Sequence, residues 1–93
     1  MTSQTNTRRA SRNADAVLAA FGRMDAAKSD NAFRRAFDAM TRAVPTTAEG
    51  IARAAEQHRN MLADFRAGDT VDLLALVRIE TNIRRGTDLL LAA

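Results

Sequence analysis

His58 is the first residue to consider for chemistry, because it is the only histidine among 93 residues. A lone imidazole cannot build a zinc site without further nitrogen or sulfur ligands, and the chain contains no cysteine. His58 falls on the apolar side of a predicted helix, where we expect a partly buried ring that is hydrogen-bonded to a neighbour. A pH-sensing or interface role is the functional alternative.

Three carboxylates, those of Asp64, Asp69 and Asp72, form a second candidate cluster. Such a cluster could serve acid–base catalysis or bind a cation, but helix caps and first turns also favour acids. The spacing does not match a calcium loop, and the sequence has neither a Gly-rich phosphate loop nor a nucleophile elbow. We therefore predict structural aspartates, and a protein that is not an enzyme and uses no cofactor or metal.

Glu80 lies within the most apolar predicted helix, on the side that we expect to be buried. A buried carboxylate is costly unless a cation pairs with it. Arg84 follows four residues later, in the favourable order for an ion pair within one helix, and this is the interpretation that we favour. The alternative is a pair with another subunit that sets the register of an assembly.

A basic tail is the remaining candidate for binding. Arg8, Arg9 and Arg12 precede every acid, and removing these three from the fourteen Lys and Arg leaves eleven, which equals the eleven Asp and Glu. The tail could contact phosphate or an acidic protein. Residues 1–12 are polar and lack periodicity, however, so we predict a disordered basic tail in the isolated chain.

The elements that position these residues are all predicted to be helices. Apolar side chains recur at spacings of three and four in four segments of residues 13–93, and no segment alternates as a strand would. The expected N-caps are Asn13, Ser29 or Asp30, Thr46 and Asp69, and the expected breakers are Pro45 and Gly68. We predict a small all-α bundle of three to four helices, with the third and fourth forming a central antiparallel hairpin.

Composition limits the core that these helices can bury. Twenty of the 93 residues are alanine, and Leu, Ile, Val and Phe together number only 19. Alanine favours helices and lets them approach closely, but it buries little apolar area. We therefore expect a thin bundle that gains stability from a second chain.

No stretch of the sequence is typical of membrane targeting. The first 20 residues lack the apolar centre of a signal peptide, and no apolar run reaches 18 residues. We expect no membrane span, and either a cytoplasmic location or export without a cleaved signal peptide.

The stretch "RRGTDLLLAA" raises the question of what covers three consecutive leucines. Gly86 could end the fourth helix, or it could lie inside one helix that reaches Ala92, and the sequence leaves both open. The predicted interface with a protein partner or a second copy comprises Leu73, Leu76, Val77, Glu80, Ile83, Leu89, Leu90 and Leu91.

A wider pattern covers residues 30–91, from "DNAFRRAFDAM" through a polar helix to "GDTVDLLALVRIETNI". It resembles the small inner-rod subunits of type III secretion and flagellar export machines. The matching positions are Asp72, Leu73, Leu74, Val77 and Glu80. The resemblance implies a secreted, helical, self-assembling subunit with a mobile N-terminus.

A second stretch, "EQHRNMLADFRAGD", is similar to a turn in the helical effector-binding domains of GntR-type bacterial regulators. The similarity covers residues 56–80, and His58 matches a histidine of that family. It implies a regulatory module.

The function that we predict is protein–protein assembly by a non-enzymatic helical subunit or adaptor, with a rod-like component of a secretion apparatus as its narrower form. The alternative is a small regulatory or nucleic-acid-associated module that uses Arg8, Arg9 and Arg12.

Overall fold

A computed structural model describes residues 15–93 of the chain, and it confirms the all-α prediction. Four helices and no strand form within this range. The helices are α1 (Ala16–Ala26), α2 (Asp30–Arg42), α3 (Ala48–Arg66) and α4 (Leu73–Ala92). The predicted basic tail with Arg8, Arg9 and Arg12 lies outside the described residues, as does Asn13. The prediction that Asn13 caps the first helix is wrong, because Asp15 caps α1.

The four helices form two hairpins, α1–α2 and α3–α4. The hairpins stack on one another with the same orientation. α1 packs on α2 and α3 packs on α4, while α1 also contacts α3 and α2 also contacts α4. Asp15 lies beside Thr47 and Asn82 lies beside Thr41, so the equivalent helices of the two hairpins run parallel. The Cα atoms span 16 Å in the thinnest direction, which corresponds to two layers of helices. Each layer keeps one face open.

The helix ends agree in part with the predicted caps and breakers. The Ser29 hydroxyl accepts a 3.1 Å hydrogen bond from the backbone N–H of Ala32, and Gly68 has the left-handed φ of 94° that its position after α3 requires. The predicted cap of α3 is wrong by one residue, because Thr47 and not Thr46 caps it. The predicted cap of α4 is wrong by three, since Asp72 accepts from the backbone N–H of Ala75 at 3.0 Å.

All four helices contribute residues to the buried core. The buried core consists of Val17, Ala20, Phe21, Met40, Ala54, Met61, Ala75, Leu76 and Ile79. The Arg53 guanidinium lies over the ring of Phe21, 4.2 Å from its centroid, and joins α3 to α1.

Two contacts fix α4 against the end of α2. The buried side-chain amide of Asn82 donates a 3.0 Å hydrogen bond to the backbone oxygen of Thr41. One turn later, a Cβ on Gly86 would overlap the backbone oxygen of Pro45. Gly86 lies inside α4, which runs as one continuous helix to Ala92. This decides between the two possibilities that the sequence left open.

Candidate protein-binding surface

The candidate site is the side of α4 that faces away from the bundle. The core-facing side of α4 carries Ala75, Ile79 and Asn82. Because a helix turns by about 100° per residue, these three positions determine which residues lie on the opposite side. Six residues at alternating spacings of four and three follow that opposite side, and we name them the outer stripe. They are Leu73, Val77, Glu80, Arg84, Thr87 and Leu91.

The ends of the outer stripe are apolar and exposed. Leu73 is 53% exposed, Val77 58% and Leu91 81%. Leu74, beside the stripe, is 57% exposed. Scattered exposed leucines are ordinary on protein surfaces, but several on one side of one helix form a patch of the kind that marks interaction sites.

An ion pair occupies the centre of the outer stripe. Arg84 Nη2 lies 3.1 Å from Glu80 Oε1, and both side chains are more than half exposed. The predicted pair within the helix is therefore confirmed. The expectation that Glu80 is buried is wrong, because Glu80 lies on the side of α4 opposite Ala75 and Ile79.

Two of the predicted interface residues instead belong to the core. Leu76 is only 8% exposed, and Ile83 packs against the core cluster. Each follows a buried residue, Ala75 or Asn82, by a single position, so both lie at the edge of the core-facing side of α4. They contribute to holding α4 in place. The accessible residues of the predicted interface are Leu73, Val77, Glu80, Leu89, Leu90 and Leu91.

The last three leucines are open to solvent. Leu89 is 60% exposed, and Leu90 is 38% exposed. These two continue the core-facing side of α4 past Gly86, where the bundle has ended. Within residues 15–93 the C-terminal turn is covered only in part, because Leu90 alone of the three leucines has less than half of its surface exposed. This partial cover answers the question that "RRGTDLLLAA" raised.

A second candidate is an open groove of about 460 Å³ between the first turns of α2 and α4. Phe33 is 46% exposed there and stacks on Phe37 with ring centroids 6.4 Å apart. Phe33 lies in the first turn of α2, where the neighbouring helices cover its ring only in part. Asp30, Arg34 and Asp72 complete the lining.

The one buried charge of the described residues is Asp15, which the sequence did not single out. One carboxylate oxygen accepts from the N–H groups of Val17 at 2.9 Å and Leu18 at 3.2 Å. The other accepts from the N–H groups of Thr46 at 3.2 Å and Thr47 at 3.0 Å, and from the Thr47 hydroxyl at 2.6 Å.

Those bonds determine how Asp15 titrates and what it can do. Burial raises the pKa of the Asp15 carboxyl, but the hydrogen bonds from the Thr47 hydroxyl and from the N–H groups of Leu18, Thr46 and Val17 outweigh burial. The pKa therefore lies below its ordinary value of 3.8. Both carboxylate oxygens are occupied, so Asp15 is a structural anion.

The residues first considered for chemistry stay apart from any metal-binding arrangement. His58 is half-buried on α3, as expected. The expected hydrogen bond from its ring to a neighbour is not found among residues 15–93, so that part of the prediction is wrong. Asp72 caps α4, while Asp64 and Asp69 are exposed around the turn. Across the described part of the chain, no group of three His, Cys, Asp or Glu could hold a metal ion.

The fold and this surface define a small all-α protein built from two stacked helical hairpins. None of the helices between residues 15 and 93 combines the length and the apolar content that a membrane-spanning segment needs. Comparison of the chain with models of protein families, with curated proteins and with solved structures finds no match. The resemblances to rod subunits and to GntR-type regulators stay predictions.

Proposed function

We propose that the protein is a helical assembly module that binds another protein chain through the outer stripe of α4. The observation that supports this proposal most directly is the exposure of Leu73, Val77 and Leu91 on the side of α4 that faces away from the core. Burying such a stripe against a groove or a second helix contributes about 25 cal/mol per Å² of apolar area.

The rigidity of α4 also supports the proposal. Asn82 and Gly86 fix the helix to α2 on its inner side, directly behind the outer stripe. A surface held in place in the free protein loses less conformational entropy when it binds a partner. Membership in an export-apparatus rod is the narrower form of the proposal, and it rests on the resemblance of residues 30–91 alone.

Photo-crosslinking in the cells of origin tests the proposal. A benzophenone amino acid replaces Thr81, which is exposed beside the outer stripe, and a control protein carries it at Arg59, which is exposed on α3. We expect protein adducts from position 81 and not from position 59. The double variant Val77→Asp, Leu91→Asp should abolish the adducts while circular dichroism stays unchanged, because both side chains are exposed.

Two outcomes would overturn the proposed function. One is the absence of any protein adduct at position 81. The other is an adduct yield that the double variant leaves unchanged, since contact would then not depend on the apolar residues of the stripe.

A further inference from the structure

We infer that the chain which covers the outer stripe is α4 of a second copy, lying antiparallel, with Glu80 of each copy facing Arg84 of the other. This inference rests on the proposed function and names its partner. The charges of the stripe and the residues that would meet across a twofold axis both point to this arrangement.

The outer stripe runs along the whole length of α4. From Leu73 to Leu91 the intervals are four, three, four, three and four residues, and this is the ordinary spacing of one side of a straight α-helix. A second helix that lies alongside α4 can therefore contact every residue of the stripe.

The stripe is also symmetric about residue 82 when two copies run antiparallel. Leu73 and Leu91 lie nine residues on either side of this position, Val77 and Thr87 lie five, and Glu80 and Arg84 lie two. The antiparallel arrangement therefore places leucine opposite leucine at both ends and valine opposite the methyl group of threonine between them. In a twofold dimer both halves of the stripe make these same contacts.

Charge selects this direction over the parallel one. In the antiparallel register each Glu80 meets an Arg84, and the two exposed ion pairs of the separate chains join into a four-membered network. A parallel register would set Glu80 against Glu80 and Arg84 against Arg84, and like charges in contact oppose association.

Other segments of the chain are less suited to cover the outer stripe. Within residues 15–93, the helices that contact α4 are α2 and α3, and the residues of α4 buried in the bundle lie on its inner side. Residues 1–14 contain Met1 and two alanines as their only apolar residues, too few to match Leu73, Val77 and Leu91. A second copy supplies both the leucines and the complementary charges.

The expected contact is short, so the dimer is expected to be weak. The stripe spans 19 residues, from 73 to 91, and its ends lie about 27 Å apart at about 1.5 Å per residue. One helix pair of this length lies at the small end of specific interfaces. Sedimentation equilibrium must therefore extend to about 500 µM, which is within the range of weak association.

Charge exchange on the full chain tests the register. Glu80→Arg and Arg84→Glu should each weaken self-association by about tenfold or more, through like-charge contacts across the interface. The double variant Glu80→Arg, Arg84→Glu should restore it, and so should an equimolar mixture of the two single variants. The matched control is Asp38→Arg, which disrupts the exposed Arg42–Asp38 pair on α2 and should leave the dimer unchanged.

A distance measurement tests the direction. The chain has no cysteine, so Ala92→Cys gives one site for a spin label in each copy. The antiparallel dimer places the two labelled positions about 30 Å apart, at about 1.5 Å per residue over 20 residues, whereas a parallel dimer places them about 10 Å apart.

The outcomes separate this inference from the proposed function. A chain that stays monomeric to about 500 µM, a dimer insensitive to both charge reversals, or a 10 Å label distance would each overturn the antiparallel dimer. In any of these cases an adduct between position 81 and a different protein would still support the proposed function. Adducts of the chain with itself, together with restoration by charge exchange, support both.

Discussion

The Thr47 hydroxyl donates a 2.6 Å hydrogen bond to the carboxylate of Asp15, 32 residues earlier in the chain. The same hydroxyl oxygen accepts from the backbone N–H of Gly50 at 3.0 Å. Asp15 also caps α1, so one buried anion serves the first turns of two parallel helices. Helix N-termini carry partial positive charge, and placing two of them around one carboxylate stabilises its ionised form.

Removing this carboxylate should destabilise the fold strongly. Asp15→Ala deletes the cap of α1 and leaves the N–H groups of Thr46 and Thr47 without their acceptor. We expect the free energy of unfolding to fall by about 3 kcal/mol, from the lost cap and the unpaired donors together. Urea denaturation followed by circular dichroism measures the change.

The matched control is Ser29→Ala, which removes an exposed cap with a single hydrogen bond. It should lower the free energy of unfolding by only about 1 kcal/mol. Equal losses in the two variants would show that Asp15 is an ordinary helix cap and does not join α1 to α3.

Gly50 and Gly22 should respond in opposite ways to the same substitution. A Cβ on Gly50 would overlap the Asp15 carboxylate, whereas nothing lies within 4 Å of a Cβ on Gly22. Gly50→Ala should lower the free energy of unfolding by about 2 kcal/mol despite the better helix propensity of alanine. Gly22→Ala should raise it by up to about 1 kcal/mol. Thermal unfolding of both variants distinguishes the two effects, and stabilisation by Gly50→Ala would contradict the close contact.

Features that depend on neighbouring residues could be predicted from the sequence. The helical spacing of apolar residues, the cap at Ser29 and the left-handed Gly68 all express local backbone preferences, and the structure shows each of them. The Glu80–Arg84 pair is also local, because residues four apart on a helix are neighbours.

Features that depend on distant residues could not be predicted. The sequence favours Thr46 as a cap because Glu49 follows three residues later. The choice of Thr47 follows from the position of Asp15, which only the packing of α1 on α3 supplies. The same holds for Gly86, whose role depends on Pro45. The apolar residues of α4 cover more of the helix surface than the side that faces the core. The sequence alone therefore could not separate buried Leu76 from exposed Val77.

The contact between α2 and α4 should depend on the amide of Asn82. Asn82→Ala removes its hydrogen bond to the backbone oxygen of Thr41 and leaves that buried oxygen unpaired. We expect a loss of about 2 kcal/mol in the free energy of unfolding. The exposed neighbour Thr81 provides the control, since Thr81→Ala should change the free energy by no more than about 0.5 kcal/mol. Similar values for both variants would show that the amide is dispensable.

Acid should remove the stabilisation that Asp15 provides, and the sign follows from its pKa. Hydrogen bonding holds the folded-state pKa of Asp15 below the ordinary value of 3.8, so the ionised carboxylate favours the folded chain. The contribution is complete above the unfolded-state pKa and is lost as the pH falls through the lower, folded-state pKa. We therefore expect the difference in unfolding free energy between the natural chain and Asp15→Asn to stay constant from pH 7 to about pH 5 and to shrink below about pH 4. Urea denaturation of both proteins across this range measures the difference, and asparagine is the fitting control because it keeps the size of aspartate and cannot ionise. A difference that stayed constant down to pH 2 would contradict an ionised Asp15 between the two helix N-termini.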